Sequence, residues 1–314
     1  MRTEWVIHIW GKERDKLEFT PQEKFHMDMI RCYDHSIFDK VLINIAMYDI
    51  NDEFLFNFLK DELLDVFSDI KEVEIKKCQN ERVLSEYVTF RPYVWDRIGE
   101  DVRIYYSHFK GYISNIELLS EYTYPKRNLI INEYYWSYLM YRMSLDKEYI
   151  DEMQKSFDIG KCVYCWCLLN ENNLKYLNMP DDDDFYTLHF RCIEESAPHI
   201  KNYYVNENIK IHSPGSFVWY DMKNIYNHIG EIYEYISLDD ELLKDVGATR
   251  YFCELYIWRF INFETIQEQT IINNMSGQFY DARNNAYTQI YCSKKICHKY
   301  IADFDRYIIK NKLI

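Results

Sequence analysis

Two short stretches carry the residues best suited to chemistry. Tyr105–Gly111, YYSHFKG, places His108 and Lys110 just ahead of Gly111, directly after a β-branched and aromatic run. A lysine in such a turn is a point charge for an anion, and glycine lets the backbone come close to it. Residues 212–222, HSPGSFVWYDM, repeat the plan with a Pro-Gly turn ahead of an aromatic strand. In α/β sheets ligands bind beyond the carboxyl ends of strands, where backbone N–H groups and short polar side chains converge. Two such turns predict a site for an anionic, hydroxyl-rich ligand.

A candidate base is Glu254, four residues after Arg250. On a helix the two share a face, so Arg250 could hold Glu254 ionised or reach a diphosphate. An ordinary surface ion pair is the competing account. Asp221, just beyond Trp219, is the reserve base. Glu86 in SEYVTF either faces a nucleotide or is a carboxylate in the first turn of a helix. Asp49 and Asp52, and the run Asp181–Asp184, fit a helix cap and a solvated loop better than a divalent metal. Cys162, Cys165 and Cys167 have metal-like spacing, but strand alternation does not gather them on one face, so they read as buried thiols.

The elements needed to position these residues alternate. Glu4–Trp10 is an expected strand, Pro21–Phe38 a helix, and Lys40–Tyr48 a buried strand of the parallel kind. Asn51–Phe67 is an amphipathic helix capped by Asn51 or Asp52. Glu72–Lys76 is a short strand, Glu81–Ile98 a helix, and Val102–Tyr106 the strand that leads into the His-x-Lys-Gly turn. Helices follow over Glu133–Leu145 and Lys147–Phe157, then a strand over Lys161–Leu169. Such alternation predicts an α/β fold with a mainly parallel sheet flanked by helices. After Asp239 the pattern is mostly helical. The expected division is one domain over 1–260 and a helical C-terminal extension over 261–314.

Bulk properties narrow the partners. The 314 residues carry a net charge of −14, which argues against nucleic acid, since no broad basic surface would neutralise phosphates. Aromatic residues make up 18% of the chain. Nucleotide composition of the coding sequence explains the total, while sugar stacking is the functional account for Trp136 and Trp219. Nine cysteines and no apolar leader predict reduced thiols and a cytoplasmic protein.

In order along the chain stand WVIHIW with His8, SEYVTF with Glu86, YYSHFKG, WSYLMYRM, HSPGSFVWYDM and RYFCELYIW. This ordered set resembles the glycosyltransferases of bacterial capsule and O-antigen loci, over most of the chain to Phe260. Their motifs are a His-Thr-Lys-Gly turn, a Trp-Arg-x-Tyr-Met helix, a His-Phe-Ser-Gly-Asn-Phe-Trp-Trp segment and a late Arg-x-x-x-Glu-x-Trp. His108, Lys110 and Gly111 match the first, and Trp136 and Met140 the second. His212, Gly215, Phe217 and Trp219 match the third, and Arg250 and Glu254 the last. Phe109, Ser137, Pro214 and Ser216 depart from the pattern.

The resemblance implies a GT-A-like, Rossmann-type sheet and transfer of a sugar from a nucleotide donor, UDP-linked by expectation, to a glycan or lipid-linked acceptor. His8, Glu86, His108, Lys110, Gly111, Trp136, His212, Gly215, Ser216, Phe217, Trp219 and Arg250 are the expected substrate contacts, with Glu254 or Asp221 as catalytic base. With His108 and Lys110 where an Asp-x-Asp metal turn would stand, no metal cofactor is expected. Two other readings remain open: a phosphoryl or nucleotidyl transferase on a similar sheet, and a non-catalytic carbohydrate-binding or assembly protein. The segment Ser293–Ile314 has six basic and two acidic residues with apolar ones at helical spacing. It reads as a packed terminal helix or as a contact with an anionic membrane surface, at the inner face where lipid-linked glycans are built.

Overall fold

The computed structural model describes residues 1–14, 16–80, 86–109, 137, 138, 140–165, 216–229, 261, 266–268 and 310. In chain order these form β1 (Arg2–Gly11), α1 (Pro21–Arg31), β2 (Lys40–Met47), α2 (Glu53–Val66), β3 (Val73–Gln79) and α3 (Tyr87–Tyr93). A 3-10 turn (Trp95–Arg97) precedes β4 (Val102–His108). Residues 137, 138 and 140–145 are helical. They are followed by α4 (Lys147–Asp158), β5 (Val163–Cys165), β6 (Val218–Asp221), α5 (Met222–Ile229) and β7 (Ile266–Glu268).

Local chemistry sets these boundaries. Thr20 and Glu23 close a capping box on α1: Glu23 N–H donates to Thr20 Oγ1 at 3.2 Å, and Thr20 N–H to Glu23 Oε2 at 2.8 Å. Asp52 caps α2 by accepting from Leu55 N–H at 2.9 Å. Leu55, Leu59, Leu63 and Val66 then recur on its buried face. β1 and β2 are apolar on both faces because helices cover both.

The strands form one seven-stranded mixed sheet in the order β3-β2-β1-β4-β6-β5-β7. Parallel pairings join β1 to β2, β1 to β4, β2 to β3, and β5 to β7. β6 runs antiparallel to both of its neighbours, β4 and β5. One face carries Trp5, Ile7, Val41, Ile43, Tyr105 and Trp219 into the main core with α1, α2 and α4. On the other face Phe90 of α3 meets Tyr106 edge-on at 5.1 Å and Tyr220 at 6.0 Å. The result is an α/β fold with helices on both sides of the sheet.

Several expectations change in detail. The sheet is mixed, because β6 enters against the direction of β4. β4 continues through His108, so this histidine is a strand residue in register with His8 and not part of the turn. The helix expected over Glu81–Ile98 is, within the described residues, the short α3, which ends next to Pro92. Pro92 lies inside its last turn and has no N–H to give the preceding turn, which weakens the helix just before it ends at Tyr93. The segment 261–314, expected to be helical, supplies β7 to the far edge of the sheet beside β5. No described helix is long and apolar enough to cross a membrane.

Candidate functional site

The strand order reverses direction between β1 and β4. From β1 the chain builds outward through β2 to β3, then returns to place β4 on the other side of β1. Such a switch point opens a crevice at the carboxyl ends of the two strands, the usual ligand position in open α/β sheets. His8 of β1 and His108 of β4 are register partners there, and Asn44 of β2 is the partner of His8 on its other side. In-register residues of parallel strands share a face, so Asn44, His8 and His108 form one polar row under α3.

α3 and its N-cap residue Glu86 supply the companions. His108 Nδ1 lies 2.7 Å from Glu86 Oε2, and Tyr106 O–H donates to the same oxygen at 2.9 Å. A carboxylate oxygen can only accept, so His108 carries a proton on Nδ1. Burial pushes the Glu86 carboxyl up, but the charge and hydrogen bond of His108, with His8 and Tyr106, outweigh it and hold Glu86 below the ordinary range. Glu86 and His108 are 7% and 8% exposed, so the pair is nearly sealed yet just reaches the surface.

The second companion is Thr89, one helical turn along from Glu86. Its Oγ1 accepts from Asn44 Nδ2 at 2.9 Å and lies 2.7 Å from His8 Nδ1. Thr89 has one hydroxyl proton, and among the described residues His8 Nδ1 is the acceptor it reaches. When the Thr89 O–H donates to Nδ1, the neutral His8 ring carries its proton on Nε2. Burial pushes the His8 imidazolium down to about 3; Glu86 opposes this and His108 reinforces it.

Three polar atoms at this rim are buried without a hydrogen-bond partner among the described residues: His8 Nε2, Asn44 Oδ1 and Ser216 Oγ. Ser216 belongs here because β6 is antiparallel. Val218 pairs with Tyr106, so the chain just before β6 lies beside the carboxyl end of β4. Ser216 also has a positive φ of 50°, uncommon outside glycine. Leaving such groups unpaired costs about 1–3 kcal/mol each, which a bound molecule with matching groups would recover.

The expected site residues divide clearly. His8, Glu86, His108 and Ser216 come together, while Phe217, whose ring is edge-on to His108 at 5.7 Å, is fully buried in the main core. Trp219 does not join them. It is 0% exposed on the opposite face, stacked on Tyr105 at 4.9 Å and Phe38 at 5.5 Å, so it has no surface to offer a sugar. Asp221 pairs in register with Arg103, at the other end of β4 from His108. Arg103 and His108 are five residues apart along the strand, about 16 Å. There Asp221 caps α5, accepting from Asn224 N–H at 3.2 Å and Asn224 Nδ2 at 2.9 Å. Asp49 Oδ1 accepts from Asn51 N–H at 2.9 Å, a local turn beside the Asp52 cap. Lys110, Gly111, Trp136, His212, Gly215, Arg250 and Glu254 lie outside the described residues, as does the basic tail apart from Lys310.

Asn44, Thr89 and Tyr106 were not singled out from sequence. Asn44 had a detectable signal: it is the one polar residue in VLINIAM, as His8 is in WVIHIW. Trp10 and Lys12 extend the rim past His8. The Trp10 ring is edge-on to His8 at 6.4 Å, and the Lys12 ammonium lies 5.9 Å from the Trp10 ring. Partial burial pushes that ammonium down, Glu23 opposing and Arg14 reinforcing. Comparison of the chain with protein-family models, curated proteins and solved structures finds no match.

Proposed function

We propose that this chain is a glycosyltransferase that takes a sugar from a nucleotide-sugar donor, with the donor seated at the switch point between β1 and β4. The observation that carries the reading is the register pairing of His8 with His108 at that crevice, where buried His8 Nε2, Asn44 Oδ1 and Ser216 Oγ await partners. A nucleotide sugar is rich in the carbonyl, hydroxyl and phosphoryl groups that match such atoms. Lys12, and Lys110 in the sequence just after β4, supply positive charge for the diphosphate. The strand order, with α3 on one face and α1 and α2 on the other, is in keeping with the GT-A-like frame that the ordered motifs suggest.

In this reading the acceptor hydroxyl attacks the anomeric carbon and the nucleoside diphosphate departs. The acceptor is a glycan or lipid-linked sugar of a bacterial surface polysaccharide, and the tail Ser293–Ile314 is the segment suited to an anionic membrane. Incubation with a panel of nucleotide sugars tests the reading by following nucleoside diphosphate release and glycan mass. One donor should be turned over and bound in competition with its nucleoside diphosphate. Absence of both binding and turnover across uridine, guanosine, cytidine and thymidine donors would end it.

A further inference from the structure

We infer that Glu86 and His108 form an acid–base pair in which His108 Nε2 takes the proton from the attacking hydroxyl, with Glu86 as its positioning residue. The inference rests on the transfer reading above, and it gives His108 a role other than the diphosphate contact suggested by its sequence motif.

Geometry supplies the first support. Nδ1 is committed to Glu86 at 2.7 Å, which fixes the ring and leaves Nε2 as the lone-pair nitrogen. His108 makes no further hydrogen bond among the described residues, and it sits at the last position of β4, where the crevice opens. Glu86 is held in turn by Tyr106 O–H, so the carboxylate is fixed before the ring is.

Charge decides between a base and a clamp. Among the described residues, the ionisable groups facing His108 are Glu86 at the N-cap of α3, Tyr106 from β4 itself and neutral His8 from β1. With His108 neutral, this buried group holds one negative charge. A proton arriving at Nε2 turns it into a closed ion pair of net zero, so the negative charge of Glu86 is met by its nearest neighbour. An imidazolium already spent on Glu86 has little charge left for a diphosphate. The pair is thus better suited to receive a proton than to hold an anion.

The step balances without a further reactant. The acceptor O–H bond breaks and its proton goes to His108 Nε2. The acceptor oxygen forms a bond to the anomeric carbon, and the anomeric C–O bond to the diphosphate breaks, its electron pair leaving with the phosphate. A single displacement of this kind inverts the anomeric configuration.

The test uses full-length protein in two arms. In the first, carbethoxylation of His108 by diethyl pyrocarbonate is followed by peptide mass spectrometry across pH 5–8, a readout independent of turnover. Modification should rise with pH, and Glu86→Gln, which keeps an acceptor for Nδ1–H but no charge, should shift that rise to lower pH. In the second, His108→Asn keeps a donor for Glu86 and removes Nε2. Donor KM should hold while kcat falls by about 10²–10⁴. The acidic limb of the wild-type kcat profile should move to lower pH in Glu86→Gln. A His108 that stays unmodified in folded protein, a pH dependence unmoved by Glu86→Gln, or a His108→Asn variant that changes KM alone would overturn the assignment. A reactive, Glu86-dependent His108 in a protein that turns over no donor would support the pair and overturn the transfer reading instead.

Discussion

His8 and His108 are register partners on adjacent parallel strands, yet α3 gives them opposite companions: the Thr89 hydroxyl for His8 and the Glu86 carboxylate for His108. Glu86 and Thr89 are three residues apart, so one turn of helix serves both rings. One histidine is kept neutral by burial and a hydroxyl, while the other is placed to exchange a proton. This division of labour generates most of what can be measured next.

Acid stability should report His8. Its folded value of about 3 lies below its ordinary 6.5, so the unfolded chain binds the extra proton between those values. Stability is therefore full above pH 6.5 and is lost as pH falls toward 3; the depressed Glu86 carboxyl acts in the same direction at the acidic end. Urea unfolding at pH 4.5 should give a stability on the order of 2 kcal/mol below that at pH 7. His8→Asn, which has nothing to protonate, should flatten that difference. An unchanged slope would show that His8 is not the group responsible.

Thr89→Val preserves shape and removes the hydroxyl shared by His8 and Asn44. Both nitrogens then lose a partner in a buried setting, at a combined cost of about 2–4 kcal/mol. Thr89→Ser should restore most of it. Thermal unfolding of the three proteins checks the pattern, and a neutral Thr89→Val would mean that water replaces the hydroxyl.

Asp221→Ala should behave as a cap mutation. Losing its bonds to Asn224 costs about 1 kcal/mol of stability and leaves kcat within a factor of two. Glu254→Gln is the companion experiment, since Glu254 is the base suggested by the sequence motifs. Steady-state kinetics on both variants beside His108→Asn will rank the three. A collapse of kcat in Glu254→Gln with donor binding intact, and none in His108→Asn, would return the role to Glu254.

Lys110→Ala should fold normally and lose two or more decades of transfer, because the diphosphate loses a charged contact worth a few kcal/mol. Activity should also survive EDTA. Circular dichroism with donor kinetics checks the first expectation. Chelation followed by Mn²⁺ addition checks the second, and a requirement for Mn²⁺ would redirect attention to the acidic run Asp181–Asp184.

The sequence revealed the strands of the first half well, because β1 and β2 are continuous apolar runs that only a covered sheet can house. It also revealed His8, a polar intruder in such a run, though not Asn44, which carries the same signal. What it hid depended on direction and face. Phe217 and Trp219 are two residues apart in one motif, so alternation sends both rings into the core, where Phe217 lies far enough along to meet His108 edge-on. Asp221 looked close to the histidines in the same motif, whereas the reversed strand carries it to the far end of the sheet. Thr89 gave no signal, since a threonine in a short helix becomes informative only when the two nitrogens it serves are known.

The reversal of β6 has a consequence during synthesis. Residues Asn44, Glu86, Thr89 and His108 all emerge early, and β1 through β4 can pair as soon as they do. The outer edge of β4 then waits more than a hundred residues for Val218–Asp221 to cover it. Until that happens Tyr105 lacks its Trp219 neighbour, and an aromatic strand edge stands open to other chains. Each new molecule thus passes through an interval in which the polar row is already laid out while the strand bearing His108 is still adhesive.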